Sequence, residues 1–97
     1  MQTAINSIAE FAKNNGMPVF IGEYGPIDKN NLAARKDYCY WLNYYAKHNS
    51  SQVKIVTAYW DNGVMGLDGS ALFDRVNNTV TATGTEIISE IFRGAGL

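Results

Sequence analysis

The chain has 97 residues, 46% of them hydrophobic and 18% charged, with a formal net charge of −1 at pH 7. This is the composition of a folded segment rather than a disordered one, and the length allows one domain with a limited core. Eight Lys and Arg against nine Asp and Glu, spread without runs, leave no basic stripe to neutralise phosphates, which argues against nucleic acid as a partner. No apolar stretch approaches the roughly 18 residues that cross a bilayer, and the first residues lack the basic start and apolar run of a secretory leader. The lone cysteine, Cys39, reads as a small buried hydrophobe on a helix.

Ile5, Ile8, Ala9 and Ala12 recur at helical spacing and Asn14-Asn15-Gly16 is a stop signal, which predicts an amphipathic helix over residues 3–14. Val19-Phe20-Ile21 after Pro18 is apolar on consecutive positions, as in a parallel strand covered on both faces. A polar loop through Asp28, Lys29 and Asn30 leads to a second helix over 31–47. Leu32, Arg35, Cys39, Leu42 and Ala46 mark its inner face; Lys36, Asp37, Asn43 and Lys47 are its solvent side.

Residues 53–60 are dense in β-branched types and close on Tyr59-Trp60, which predicts a second strand. The connection over 61–82 is too long for a bare link, and Met65, Leu67, Leu72 and Phe73 predict that it packs. Thr83-Gly84-Thr85-Glu86 has the capping-box pattern before a third helix with Ile87, Ile88, Ile91 and Phe92 buried and Gly94 as its stop. Helices alternating with strands point to parallel βα units.

Of the glutamates, Glu10, Glu86 and Glu90 fall on predicted helices, where solvent or capping roles are the rule; only Glu23 ends a strand. Side chains at the carboxyl ends of parallel strands meet at the ligand crevice of barrels and open sheets. Trp60 ends the other strand, so a carboxylate and an indole share one rim. A sugar ring suits that pair, with apolar C–H faces for the indole and an anomeric carbon for the carboxylate. Glu23 as a turn cap or ion-pair partner, and Trp60 as packing, are the alternatives. Asp61, Asn62 and Gly63 read as a turn, with Asn62 free to meet a sugar hydroxyl. His48 is a solvated helix-end residue, and Asp68-Gly69-Ser70 and Asp74-Arg75 are turn and ion-pair material. No metal-binding cluster or phosphate-binding loop is present.

Gly22-Glu23-Tyr24-Gly25 followed by Trp60-Asp61-Asn62-Gly63, with Leu72-Phe73-Asp74-Arg75 and a short apolar terminal helix, resembles the C-terminal part of a family 5 glycoside hydrolase of the endoglucanase type. The resemblance implies a partial (β/α)8 barrel in α/β class: residues 1–97 as the last two βα units, strands 7 and 8, with the preceding helix. It implies a retaining, endo-acting enzyme that cleaves β-1,4-glucan without metal or cofactor. Glu23 would be its nucleophile, Trp60 the platform beneath the sugar, and Tyr24 and Asn62 further substrate contacts. It also implies a cis bond between Trp60 and Asp61, a secreted parent, and an acid/base glutamate in an Asn-Glu pair that does not occur in this sequence. A whole barrel takes roughly 250 residues, so the chain by itself is expected to be inactive, with open strand edges that invite self-association. A non-catalytic glycan-binding module and a purely structural α/β unit are the competing readings.

Overall fold

A computed structural model describes residues 1–97. Its elements are α1 (Gln2–Asn14), β1 (Val19–Tyr24), α2 (Leu32–Lys47), β2 (Ile55–Tyr59), β3 (Phe73–Asp74), β4 (Thr79–Val80) and α3 (Ala82–Gly94). β1 and β2 pair in parallel as a two-stranded sheet, and β3 and β4 form a separate antiparallel hairpin. α1, β1, α2 and β2 lie where the hydrophobic periodicity puts them, within two residues at each end except β1, whose strand runs on to Tyr24.

Two helices end on the same device. Gly16, at φ +61°, follows the Asn15 cap of α1; its N–H donates to the Lys13 carbonyl at 3.3 Å and that of Met17 to Ala12 at 2.9 Å. Gly96, at φ +77°, does the same for α3, its N–H reaching the Arg93 carbonyl at 3.1 Å and that of Leu97 reaching Phe92 at 2.8 Å. These paired bonds satisfy carbonyls that a helix end leaves unpartnered, and the left-handed residue they need is cheapest as glycine.

The α3 ends differ from the sequence expectation. The N-cap is Thr81, two residues before the predicted box, with its Oγ1 accepting from the Gly84 N–H at 2.8 Å. Thr81 is held there because its own N–H donates to the Leu72 carbonyl at 2.9 Å. Gly94 is the last helical residue rather than the stop. A Cβ on it would come within 2.3 Å of the Tyr40 carbonyl, so its role is to let α3 lie close against α2.

The core consists of Tyr24, Cys39, Leu42, Leu72 and Ile87, with Leu32, Tyr59, Ile88 and Ile91 packed against it. It lies between one face of the β1–β2 sheet and the helices α2 and α3. Cys39 is fully buried, and burial pushes its thiol up to about 12. Asn43, expected in solvent, is buried instead. Its Nδ2 donates to the Tyr24 hydroxyl at 2.9 Å and to the Cys39 carbonyl at 2.8 Å, and its Oδ1 accepts from Thr57 Oγ1 at 2.7 Å. A polar side chain with every partner supplied can sit in a core at little cost, and this one ties α2 to both strands. Ile8, Phe92, Met65, Leu67 and Phe73 are exposed, contrary to expectation; of the loop residues predicted to pack, only Leu72 does. No helix is long and apolar enough to cross a membrane.

Candidate active site

Strand pairing decides which way Glu23 faces. Ile21 pairs with Thr57, but the next aligned pair is Tyr24 with Tyr59, so β1 spends one residue more than β2 over that step. Strand side chains alternate between faces. In a regular strand Tyr24 would share the face of the exposed Phe20, and Glu23 that of Ile21. The bulge at Gly22–Glu23 reverses this. Tyr24 turns into the core, its ring meeting Tyr59 edge-to-face at 5.4 Å between centroids. Glu23 is left exposed on the opposite face, at the carboxyl end of the strand, and enters no ion pair.

That face is not covered by any helix of the chain. Phe20 and Val56 stand opposite each other on it, both exposed, and Trp60 follows with 55% of its surface accessible. Glu23 and Trp60 therefore share one end of the sheet. Tyr24 does not join them: it is 7% exposed, and burial pushes its phenol pKa up against the hydrogen bond from Asn43. Its placement among the substrate contacts is corrected by the bulge, which sequence alternation alone cannot reveal.

Trp60 is held by its backbone. Its N–H donates to the Tyr24 carbonyl at 2.6 Å, and its carbonyl accepts from the buried Ser70 Oγ at 2.9 Å. Gly25 passes so close that a Cβ there would lie 2.5 Å from the Trp60 carbonyl oxygen. The Trp60–Asp61 bond, for which a cis geometry is implied by resemblance, is trans, like every other peptide bond of the chain.

Asp61 and Asn62 organise the connection after β2. Asp61 Oδ2 accepts from the N–H groups of Leu72 and Phe73 at 2.9 and 3.2 Å, and Oδ1 from Gly63 at 2.7 Å and Arg75 at 3.3 Å. Burial acts to raise the Asp61 carboxyl pKa, but the Leu72, Gly63 and Phe73 N–H groups with Arg75 outweigh it and hold it below its ordinary value. Asn62 Oδ1 accepts from the N–H groups of Val64 and Ser70, both at 3.0 Å, so its oxygen is committed to the loop.

The loop after β1 is fastened beside it. Arg35, 2% exposed, donates Nε to the Pro26 carbonyl at 3.0 Å and faces Asp28 at 3.9 Å. The Asp28 N–H donates to Gly69, the Asp68 N–H to Asp28, and Lys29 pairs with Asp68. Arg35, Asn43 and Ser70 are the supporting residues that motif reading missed. Arg35 and Asn43 had only their place on the second helix as a signal, and Ser70 had none. No three His, Cys, Asp or Glu side chains are grouped to hold a metal ion.

Residues 1–66 match the family described as Cellulase (glycosyl hydrolase family 5). The chain belongs to that family. Endoglucanase A of Paenibacillus barcinonensis is 42% identical over 85 residues, covering 81% of this chain and 20% of that protein. Endoglucanase B of Clostridium cellulovorans is 39% identical over 90 residues, covering 90% of this chain and 19% of that protein. Among solved structures, a family 5 xyloglucanase from Paenibacillus pabuli in complex with ligand superposes with a TM-score of 0.75 at 36% identity, over 97% of this chain and 27% of the other. A family 5 lichenase from Caldicellulosiruptor, in complex with cellotetraose, superposes with a TM-score of 0.73 at 27% identity. The chain thus spans about a fifth of these curated relatives and about a quarter of these structures. Its α/β fold corresponds to part of the family 5 (β/α)8 barrel.

Proposed function

We propose that these residues are the C-terminal part of a retaining, endo-acting β-1,4-glucanase, with β1 and β2 as the seventh and eighth barrel strands. Glu23 is the nucleophile and Trp60 the platform under the sugar whose bond is cut; Asn62, with its Oδ1 occupied, can reach a hydroxyl only through its Nδ2. The observation that carries this reading is the bulge, which places an unpaired carboxylate on the same uncovered face and strand end as an exposed indole. An exposed Trp60 and an unpaired Glu23 also weigh against a purely structural unit.

In the first step a Glu23 carboxylate oxygen forms a bond to the anomeric carbon while the glycosidic C–O bond breaks, its electron pair leaving with the departing oxygen. A second carboxylic acid about 5 Å away protonates that oxygen and then deprotonates the water that releases the sugar. The other glutamates, Glu10, Glu86 and Glu90, are on the helices α1 and α3 and not on the sheet that carries Glu23, so the second acid comes from another strand of the barrel. These residues alone accordingly do not turn over glycosides. The substrate is a polymeric β-glucan, which places the enzyme outside the cell, and no cofactor is needed. The unpaired outer edges of β1 and β2 are where isolated chains would associate.

The test is a 2-deoxy-2-fluoro-β-cellobioside carrying a dinitrophenolate leaving group, which departs without acid assistance. An adduct on the peptide containing Glu23, absent in Glu23→Gln, is the expected result. Labelling at another residue, or none, overturns the assignment.

A further inference from the structure

Arg35 is the one arginine of this chain closed off from water. Its side chain is 2% exposed, against 64% for Arg75 and 63% for Arg93. A guanidinium taken out of water is costly unless fixed partners meet it. Its partners come from the loop after β1: Nε donates to the Pro26 carbonyl at 3.0 Å, and a terminal nitrogen lies 3.9 Å from the Asp28 carboxylate. Arg35 also borders a cavity of about 90 Å³ shared with Asp28, Met65, Gly69, Ala71 and Thr81. It therefore stands between the loop after β1 and the loop after β2. Its charge is felt at Tyr59, where it opposes the rise that burial gives the phenol pKa.

The turn that Arg35 fixes is the one that grips Trp60. The Tyr24 carbonyl accepts from the Trp60 N–H, Gly25 lies against the Trp60 carbonyl, and Pro26, the next residue, offers the carbonyl that Arg35 binds. From the other side the Tyr59 hydroxyl donates to the Ser70 carbonyl at 2.8 Å, and Ser70 Oγ donates to Trp60. We propose that Arg35 is a positioning residue: by fixing Pro26 and Asp28 it seats the Tyr24–Pro26 turn on Trp60, and so sets the separation between Trp60 and Glu23, which immediately precedes that turn. The Lys29–Asp68 pair joins the same two loops, but both side chains are more than 60% exposed, and such pairs contribute little. A lysine in place of Arg35 lacks the planar fork that meets a carbonyl and a carboxylate together. None of these contacts involves either end of the chain. That the separation serves glycoside cleavage rests on the function proposed above; the seat itself rests on the buried guanidinium.

Amide hydrogen exchange and indole shifts of the ¹⁵N-labelled chain test the seat, read well below the melting point of each variant. The variants are Arg35→Lys and Arg35→Met, the second keeping the volume without the charge. In both, the Trp60 indole signal is expected to move, and the backbone N–H groups of Trp60 and Asp28 to exchange about tenfold faster, with those of Leu42 and Ile87 little changed. Lys29→Ala should leave Trp60 in place. A chain that is merely less stable opens as a whole and speeds all four N–H groups together. That result, an unmoved Trp60 signal, or loss of the fold in both variants overturns the positioning role. A Trp60 shift in Lys29→Ala as large as that in Arg35→Lys assigns the seat to the exposed pair and equally overturns it. Adduct formation at Glu23 with the fluoro-cellobioside should slow about 10- to 100-fold in Arg35→Lys. The wild-type rate there, with Trp60 displaced, overturns the link to the reaction. No adduct in the wild-type chain sinks Glu23 as nucleophile, while the exchange rates still decide the role of Arg35.

Discussion

The N–H of Trp60 donates to the carbonyl of Tyr24 at 2.6 Å, one step past the last paired residues of the two strands. The pairing of β1 and β2 thus continues into the segment that carries the indole, and Gly25 and Ser70 close on the Trp60 carbonyl from two sides. Gly25→Ala forces a methyl group to within 2.5 Å of that oxygen. Backbone must move to admit it, at about 1–3 kcal/mol. The expected outcome is a lower thermal midpoint with a displaced Trp60 indole resonance, while Trp41 stays in place.

Asp61 carries a pH signature. Its folded pKa is depressed, so its contribution is complete above the unfolded value of about 3.9 and is lost as pH falls through the folded value. Asp74 has the same sign, from the Asn77 side chain and the N–H groups of Asn77 and Val76. Stability of the native chain should therefore fall below about pH 4, and Asp61→Asn should flatten that fall. Asp61→Ala, which strands the Leu72 and Phe73 N–H groups, should cost about 1–3 kcal/mol at neutral pH. Chemical denaturation across pH measures both.

Cys39 should be inert. It is fully buried and its thiol is pushed up to about 12, so almost no thiolate exists at pH 8. A disulfide reagent should leave the native chain unmodified and titrate one thiol in denaturant. Rapid native labelling would mean that the α2 core opens readily.

Gly94→Ala tests the α2–α3 contact by its sign. Helix propensity alone makes alanine about 1 kcal/mol better than glycine. Here the added Cβ meets the Tyr40 carbonyl at 2.3 Å, so the substitution should destabilise instead. A raised melting temperature would show that α3 can shift outward freely.

Much of the framework is legible in the sequence. Asn14-Asn15-Gly16 ends a helix as read, the β-branched run before Trp60 is a strand, and Cys39 marks a buried face, because each signal is local. The misreadings share a longer range. Thr81 displaces Thr83 as the cap because Leu72, distant in sequence, holds its N–H. The β3–β4 hairpin is only two residues on each side, too short for a periodic signal. Glu23 and Trp60 are legible as strand-end residues, but the face of Tyr24 depends on how many residues β1 matches against β2, and pairing register is not written in either strand alone.

The bulge also sets a rule for redesign. One residue between Ile21 and Tyr24 is surplus, and removing Gly22 would leave Glu23 opposite Ala58 and Tyr24 opposite Tyr59 in an evenly matched ladder. Straightening the strand with Gly22 retained would instead turn the acid toward Leu42 and Cys39 and throw the tyrosine out. An attempt to tidy this strand must therefore shorten it, since idealising its geometry at constant length would invert the chemistry of the rim.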